Sequence, residues 1–420
     1  MDNGKQMKVG IGFATGRGSF KKVLKTYIYN WEESGLTERE NISLDLFIAY
    51  DLKYSNTTAA NYTNVKKDLL GLVNEIHYLG NASIQEDIAD LVRQAVIDPQ
   101  EARLFFGSGY AAKRNAILFS AVKHGMDALL FLDDDEYPVA VTKTRKTAVW
   151  GGQQVLSTHL NNIRHADITN GYHCGYISPI PYLEFNERLS EADFQRFIEA
   201  ISNDIVSWDA VRAVMNGGGV TYADTRVLTS DTAYEVPEIH RAKFITGANL
   251  CINLRDPDRV FPFYNPPGAR GEDTFLSTCL SERTVLRVPC YAFHDGFSTY
   301  NHLLDGVLPI QLRYIKADAA PVVDRFYKAC IGWIRYKPLL LYITQRDQYA
   351  GRIAEMRAQL SDTLPKLCAY FEREEFMNIA KELESYHRNV EKHYEQFLAT
   401  QQIWKKLCAF LSSRQANPYQ

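Results

Sequence analysis

The sequence predicts an α/β protein: a mixed, mostly parallel sheet flanked by helices, with a helical extension at the C-terminus. Short apolar runs bounded by turn residues, suited to buried strands, alternate with stretches whose apolar residues recur at helical spacing. From about Asp318 to Phe410 the strand-like runs stop, glycine becomes sparse and helix-capping signals recur. Several of the runs end in acids or a histidine, and in open α/β sheets ligands sit beyond the carboxyl ends of the strands.

The 420 residues suffice for one large domain with an appendage, or for two domains. A composition of 46% hydrophobic and 23% charged residues with a formal net charge of -3 gives no general case for nucleic acid as a partner. The 25 Tyr and 21 Phe suit a sugar-handling cleft and a large core equally. Met1–Lys8 is polar and Val9–Ala14 too short for a signal peptide, and no apolar stretch approaches the length of a membrane-spanning helix. Seven Cys without CxxC spacing point to unpaired thiols in a reducing compartment, and zinc is not expected on that count. The expected location is cytoplasmic, with membrane association left open through the C-terminal helices.

In chain order, Lys8–Ala14 reads as the first strand, Thr15–Ser19 as a turn and Phe20–Trp31 as a helix. Gly10, Gly12 and Gly16 are spaced GxGxxxG rather than GxGxxG. A glycine-bearing strand-to-helix turn still offers backbone N–H groups to a nucleotide, so Gly12 and Thr15 are candidate contacts; a merely tight turn is the alternative. Ile42–Asp51 reads as the second strand. Asp51 is placed either to accept hydrogen bonds from a base or ribose or to cap the next segment. Asn64–His77 and Ile84–Ala95 read as helices. Gly109–Gly125 is an amphipathic helix with Lys113, Arg114 and Asn115 in its first turns, where a cation would meet a bound diphosphate; a solvated helix start is the alternative.

Ala128–Leu132 is a short apolar strand running into Asp133, Asp134, Asp135 and Glu136. In an extended backbone Asp133 and Asp135 share one face while Asp134 and Glu136 take the other. Two carboxylates on one face make an oxygen site for Mg²⁺ or Mn²⁺, and a solvated acidic turn is the alternative. Val139–Asp231 breaks the alternation and reads as a long irregular segment of the functional-loop kind, with the helical piece Glu191–Met215 lying over the sheet. Lys243–Leu254 is strand-like with a Gly-Ala-Asn break. In Tyr264–Leu276 a Pro/Gly-rich loop delivers Glu272 and Asp273 to a helix start, either as dipole-favoured capping acids or as carboxylates facing an acceptor. Val285–His294 reads as a strand whose last residue, His294, is a candidate metal ligand. Trp333–Lys337 and Trp404–Lys406 mix aromatics with cations, which suits a peripheral membrane contact, a homo-oligomer interface or plain helix packing.

Together, a glycine-bearing first strand, an acid after the second, an Arg-Asn helix, a strand ending in three aspartates, a Gly-Glu-Asp loop–helix and a late strand ending in His form a recognisable set. It resembles the GT-A nucleotide-sugar glycosyltransferases, particularly the family 2-like enzymes, over roughly Lys8–Asn301. The resemblance implies a GT-A type, Rossmann-like catalytic domain over residues 1–310, with 139–231 as an acceptor-facing insertion, and a helical region over 311–420. It implies metal-dependent transfer from a UDP- or GDP-sugar to a hydroxyl of a glycan or other acceptor, with Mn²⁺ or Mg²⁺ as cofactor.

On this resemblance Asp133 contacts the donor ribose and the metal, Asp134 lies at the donor, and Asp135 binds the metal with His294 as a further ligand. Asp51 lies near the base, Arg114 and Asn115 near the donor. Asp273, with Glu272 adjacent, is the general base of an inverting reaction. Because the acidic run is four residues long, the register of the DxD motif is open by one residue. A retaining enzyme in which Asp273 binds the acceptor would carry the same sequence. The rival readings are a nucleotidyltransferase, a nicotinamide oxidoreductase and a non-catalytic sugar-binding or scaffold protein.

Overall fold

The computed structural model describes residues 6–35, 41–65, 71–175, 179–203, 207–295, 299–300, 303 and 306–416. The first half holds β1 (Met7–Thr15), α1 (Phe20–Ser34), β2 (Ile42–Tyr50), α2 (Ala60–Thr63), β3 (Val73–Leu79), α3 (Asn81–Arg93), α4 (Pro99–Phe106), α5 (Tyr110–Lys123) and β4 (Ala128–Leu132). Next come β5 (Glu136–Tyr137), the hairpin β6–β7 (Val139–Lys143, Ala148–Gly152), α6 (Val155–Ile163), β8 (Ile168–Cys174), α7 (Glu191–Ile201), α8 (Trp208–Asn216) and α9 (Thr225–Leu228). The chain continues through β9 (Tyr234–Glu235), β10 (Glu238–Ile239), β11 (Ala242–Lys243), β12 (Leu250–Asn253), α10 (Glu272–Ser277) and β13 (Val285–His294). It ends in the helices α11 (Ala320–Thr344), α12 (Tyr349–Phe371), α13 (Asn378–Arg388) and α14 (Val390–Ala416).

The main sheet runs β3-β2-β1-β4-β12-β8-β13-β5, with β9 added beside β13. β3, β2, β1 and β4 are parallel, β8 and β13 are parallel, and β12 runs against both of its neighbours. Apolar residues on both faces of β1, β2 and β4 require cover on both sides. On one face Leu44, Leu46 and Ile48 pack with Tyr27, Ile28 and Trp31 of α1. On the other, Phe47 and Ala49 pack with Ile117 and Leu118 of α5 and with Ile403, Trp404 and Leu407 of α14. The last helix is therefore built into the sheet's own core, and the Trp404 ring stacks on Phe105 at 6.1 Å and 3°.

Only Asp133–Asp135 separate β4 from β5, yet β12, β8 and β13 lie between those strands in the sheet. The sheet curls. β13 carries a register irregularity between Arg287 and Tyr291, and its far end returns to meet β5 through His294 and Glu136.

Three expectations change. Val73–His77, expected as the end of a helix, lies in the edge strand β3, because its backbone pairs in parallel with β2; residues 66–70 of that expected helix lie outside the described residues. Val139–Asp231 is not wholly irregular: it supplies β8, a full interior strand. The polar run ITNGYHC suits that place because its buried groups are satisfied, Asn170 by Thr246 and Arg287, and Thr169 by His159. Glu191–Met215 forms α7 and α8, which leave the sheet and bury Phe194, Phe197 and Ile201 against the C-terminal helices. Lys243–Leu254 is interrupted at the expected Gly-Ala-Asn break, where Asn249 takes φ 49, with strands at its two ends. Among the described residues no helix is long and apolar enough to cross a membrane, and all seven cysteines are free.

Candidate functional site

The chain leaves β1 for β2 on one side, while β4 flanks β1 on the other, and a crevice opens where connections diverge in this way. Thr15 at the end of β1 and Asp134 just past β4 close that crevice. Thr15 Oγ1 donates to Asp134 Oδ2 at 2.6 Å and Gly16 N donates to the same oxygen at 3.3 Å. Arg17, in the turn before α1, places Nε 3.1 Å from Asp134 Oδ1 and Nη2 2.7 Å from Asp135 Oδ2. The first counter-charge on the acidic run is thus a guanidinium from the opposite strand end.

Arg114 supplies the second. It is buried beneath the site, its guanidinium over the rings of Phe131 (5.2 Å) and Phe263 (5.6 Å). It donates to Gly247 O and to Asp133 Oδ1 (3.1 Å) and lies 3.5 Å from Glu272 Oε1. One cation therefore joins the end of β4 to the start of α10. Burial pushes the Asp133 carboxyl up to about 7; Arg114 opposes that shift, while Glu136, Asp134 and Glu272 add to it. Burial likewise raises Asp135 well above the ordinary carboxylate range, with Arg17 opposing.

The curl of the sheet brings two histidines to the same acids. His173 of β8 places Nε2 2.9 Å from Glu136 Oε1, and His294 lies 3.5 Å from Asp135 Oδ2. Burial works against the charged form of both Glu136 and His173, yet their mutual attraction wins: Glu136 is held below its usual value and His173 above its own. His294 is pushed down to about 4 by burial, so it stands neutral beside Asp135 at neutral pH.

Across from the acidic run, Gly271 (φ 95) turns the chain into α10. Asp273 Oδ2 accepts from Gly247 N (3.1 Å) and Oδ1 from Thr274 N (2.8 Å). Burial, then the neighbouring Glu272, lifts Asp273 to about 6. A cleft of 760 Å³ lies alongside, lined at the sheet by Thr15, Gly16, Asp51 and Lys113 and at its outer end by Arg103 and Arg270, with Glu272 on its wall. None of Lys113, Arg103 and Arg270 has an ion-pair partner among the described residues. Tyr54 and Tyr110 line the cleft, their rings edge-to-face with one another at 6.2 Å and 81°.

The expected site residues fall into three groups. Asp133, Asp134, Asp135, His294, Glu272, Asp273, Thr15 and Arg114 come together around the acidic run. Asp51 lines the cleft and caps the following turn, accepting from Lys53 N at 2.9 Å. Gly12 and Asn115 do other work. A Cβ on Gly12 would sit 2.7 Å from Ile117 Cγ2, so this glycine lets α5 approach mid-strand, away from the cleft. Asn115 touches the cleft but spends its amide on Phe263 N and O (2.8 and 2.9 Å) and Phe105 O (3.3 Å), which pins the loop after β12.

Lys113, named with Arg114 and Asn115 at the helix start, lines the cleft, while Arg17 and His173 belong to the site without having been singled out as site residues. Arg17 had a signal, a cation between two glycines directly after a strand. His173 had none, because β8 was not read as a strand.

Asp133, Asp135 and the Glu136 Oε2 atom, which is buried without a hydrogen-bond partner, suit a hard divalent cation by their chemistry. A cation there would compete with Arg17 for the Asp135 oxygen. No protein-family model and no curated protein sequence matches this chain.

Proposed function

We propose that this protein is a glycosyltransferase of GT-A type, moving a sugar from a UDP- or GDP-sugar to a hydroxyl of a glycan or other acceptor. The observation that carries the reading is one cleft at the carboxyl ends of β1 and β2. Three unpaired cations and Glu272 line it, and its Thr15 and Gly16 are hydrogen-bonded to Asp134 of the adjoining acidic strand end. Unpaired Lys113 and Arg103 suit a diphosphate, and Tyr54 and Tyr110 offer ring faces to a base. Asp133 and Asp135 are the residues that would hold Mn²⁺ or Mg²⁺, which when bound neutralises charge on the departing diphosphate. Asp273 takes the proton of the acceptor hydroxyl, a task that a carboxyl titrating at about 6 performs well near neutral pH.

Arg17 supports a second reading. Its guanidinium already balances Asp134 and Asp135, so transfer without a divalent cation is compatible with the same site.

The test is thermal unfolding with UDP or GDP, with and without Mn²⁺, followed by turnover of UDP- and GDP-sugars. A ligand at a hundred times its Kd stabilises the fold by about 2.7 kcal/mol. Asp273→Asn should keep that shift and lose roughly 10²–10⁴-fold in kcat. If Glu272→Gln abolishes turnover and Asp273→Asn does not, the base is Glu272. Absence of any shift with either diphosphate sinks the proposal, and full turnover in EDTA selects the metal-independent reading.

A further inference from the structure

We propose a second, separate divalent-cation site at the sheet edge, formed by Asp45 of β2 with Glu75 and His77 of β3. It does not depend on the reading of the cleft. Asp45 and Glu75 are direct partners across the β2–β3 ladder, and Phe47 and His77 are the next pair on the same face. One oxygen from each acid and one imidazole nitrogen come within 4.8 Å of one another. Asp45 stands near the start of β2, and six residues of extended strand (~20 Å) separate it from Asp51 at the cleft.

The cluster is built rather than accidental. Asp45 is 5% exposed, and a buried carboxylate needs a cation or a full set of donors. Its Oδ1 receives Asn74 Nδ2 at 3.0 Å and its Oδ2 lies 3.3 Å from His77 Nε2. The Asn74 bond is the kind of outer hydrogen bond that orients a ligating carboxylate. The His77 side chain is 8% exposed, and its Nε2 is hydrogen-bonded to Asp45 Oδ2. Its other nitrogen, Nδ1, makes no hydrogen bond among the described residues and lies 3.9 Å from Glu75 Oε1. A nine-tenths buried imidazole thus faces a carboxylate from each nitrogen.

The ring is held in place by stacking on Phe47 (4.5 Å, 18°) and by His124 at the end of α5, 4.0 Å away. Water completes the coordination. One imidazole with two carboxylates selects a borderline cation such as Zn²⁺ or Mn²⁺ over Ca²⁺. A bound ion would clamp β3, the outermost strand of the sheet, onto β2.

Isothermal titration of the full chain with Zn²⁺, and separately with Mn²⁺, tests the site alongside Co²⁺ absorption spectroscopy. The expected result is one cation bound in Asp135→Asn, where the acidic-run site is disabled, with affinity falling about a hundredfold or more in Glu75→Gln. Glu75 is largely exposed, so that variant keeps the fold. His77→Gln should also remove the visible Co²⁺ bands of nitrogen-bound metal. Overturning results are no binding of any of the three ions by Asp135→Asn, or binding unchanged in Glu75→Gln and His77→Gln.

Discussion

His159 gives the sharpest quantitative prediction. It is fully buried on α6, with Nε2 2.8 Å from Asn249 Oδ1 and Nδ1 2.7 Å from Thr169 Oγ1. The Asn249 amide points its NH₂ at the carbonyls of Tyr172 (3.0 Å) and Cys290 (3.5 Å), so its oxygen faces His159 and Nε2 must be the donor. Burial pushes the imidazole down to about 4, against an ordinary value of 6.5. Between those values the unfolded chain binds a proton that the folded protein refuses. Stability from this residue is therefore complete above pH 6.5 and is lost as pH falls towards 4. A gap of about 2.5 units at ~1.36 kcal/mol each makes the loss about 3 kcal/mol.

Other groups titrate in the same range. His294 acts in the same direction, whereas Asp133 and Asp273, raised above their unfolded values, lose stability as pH rises. Urea unfolding of the wild type and of His159→Gln at steps from pH 7 to pH 4 cancels these shared contributions. The wild type should lose about 3 kcal/mol more than the variant over that interval. Parallel pH profiles for the two proteins would refute the assigned protonation state.

Three further outcomes are expected. Gly12→Ala should destabilise the protein by roughly 1–3 kcal/mol through overpacking against Ile117, with nucleotide affinity unchanged; weaker nucleotide binding at unaltered stability would return Gly12 to the site. Trp404→Ala, removing a side chain only 2% exposed, should cost about 3–5 kcal/mol in thermal unfolding. A variant as stable as the wild type would place α14 outside the core. Arg17→Gln should bind Mn²⁺ more tightly, by about tenfold or ~1.4 kcal/mol, when free Mn²⁺ is followed by electron paramagnetic resonance. Equal or weaker binding would show that Arg17 does not compete for Asp135.

What the sequence revealed followed from local periodicity. β1, β2, β4 and β13 are runs of strongly apolar residues, and their ends, with the acids and His294 they carry, could be read directly. β3 was missed because VNEIHYL has polar residues on both faces of an edge strand, so neither period dominates. That error hid the Asp45–Glu75–His77 cluster, which exists only when Glu75 and His77 lie two apart on an extended chain. β8 was missed for another reason: Thr169 and Asn170 are buried polar groups satisfied by residues distant in sequence, and no local pattern announces such partners. The helix Pro99–Phe106 was passed over as well, although its signal is local, an Asp98–Glu101 capping box with proline at its first position.

The curl that returns β13 to the acidic run also orders events in time. Asp133–Glu136 emerge from synthesis long before His294, and until β13 docks the run has Arg17, Arg114 and His173 as its available counter-charges. The pairing of His294 with Glu136 joins distant parts of the chain, the sort of contact that forms late in folding. A chain halted before residue 294 would thus leave that edge of the sheet unclosed with its counter-charges already in place. What β13 adds is cover: its imidazole stands neutral beside Asp135, so closing the sheet withdraws the carboxylates from water without adding a compensating charge.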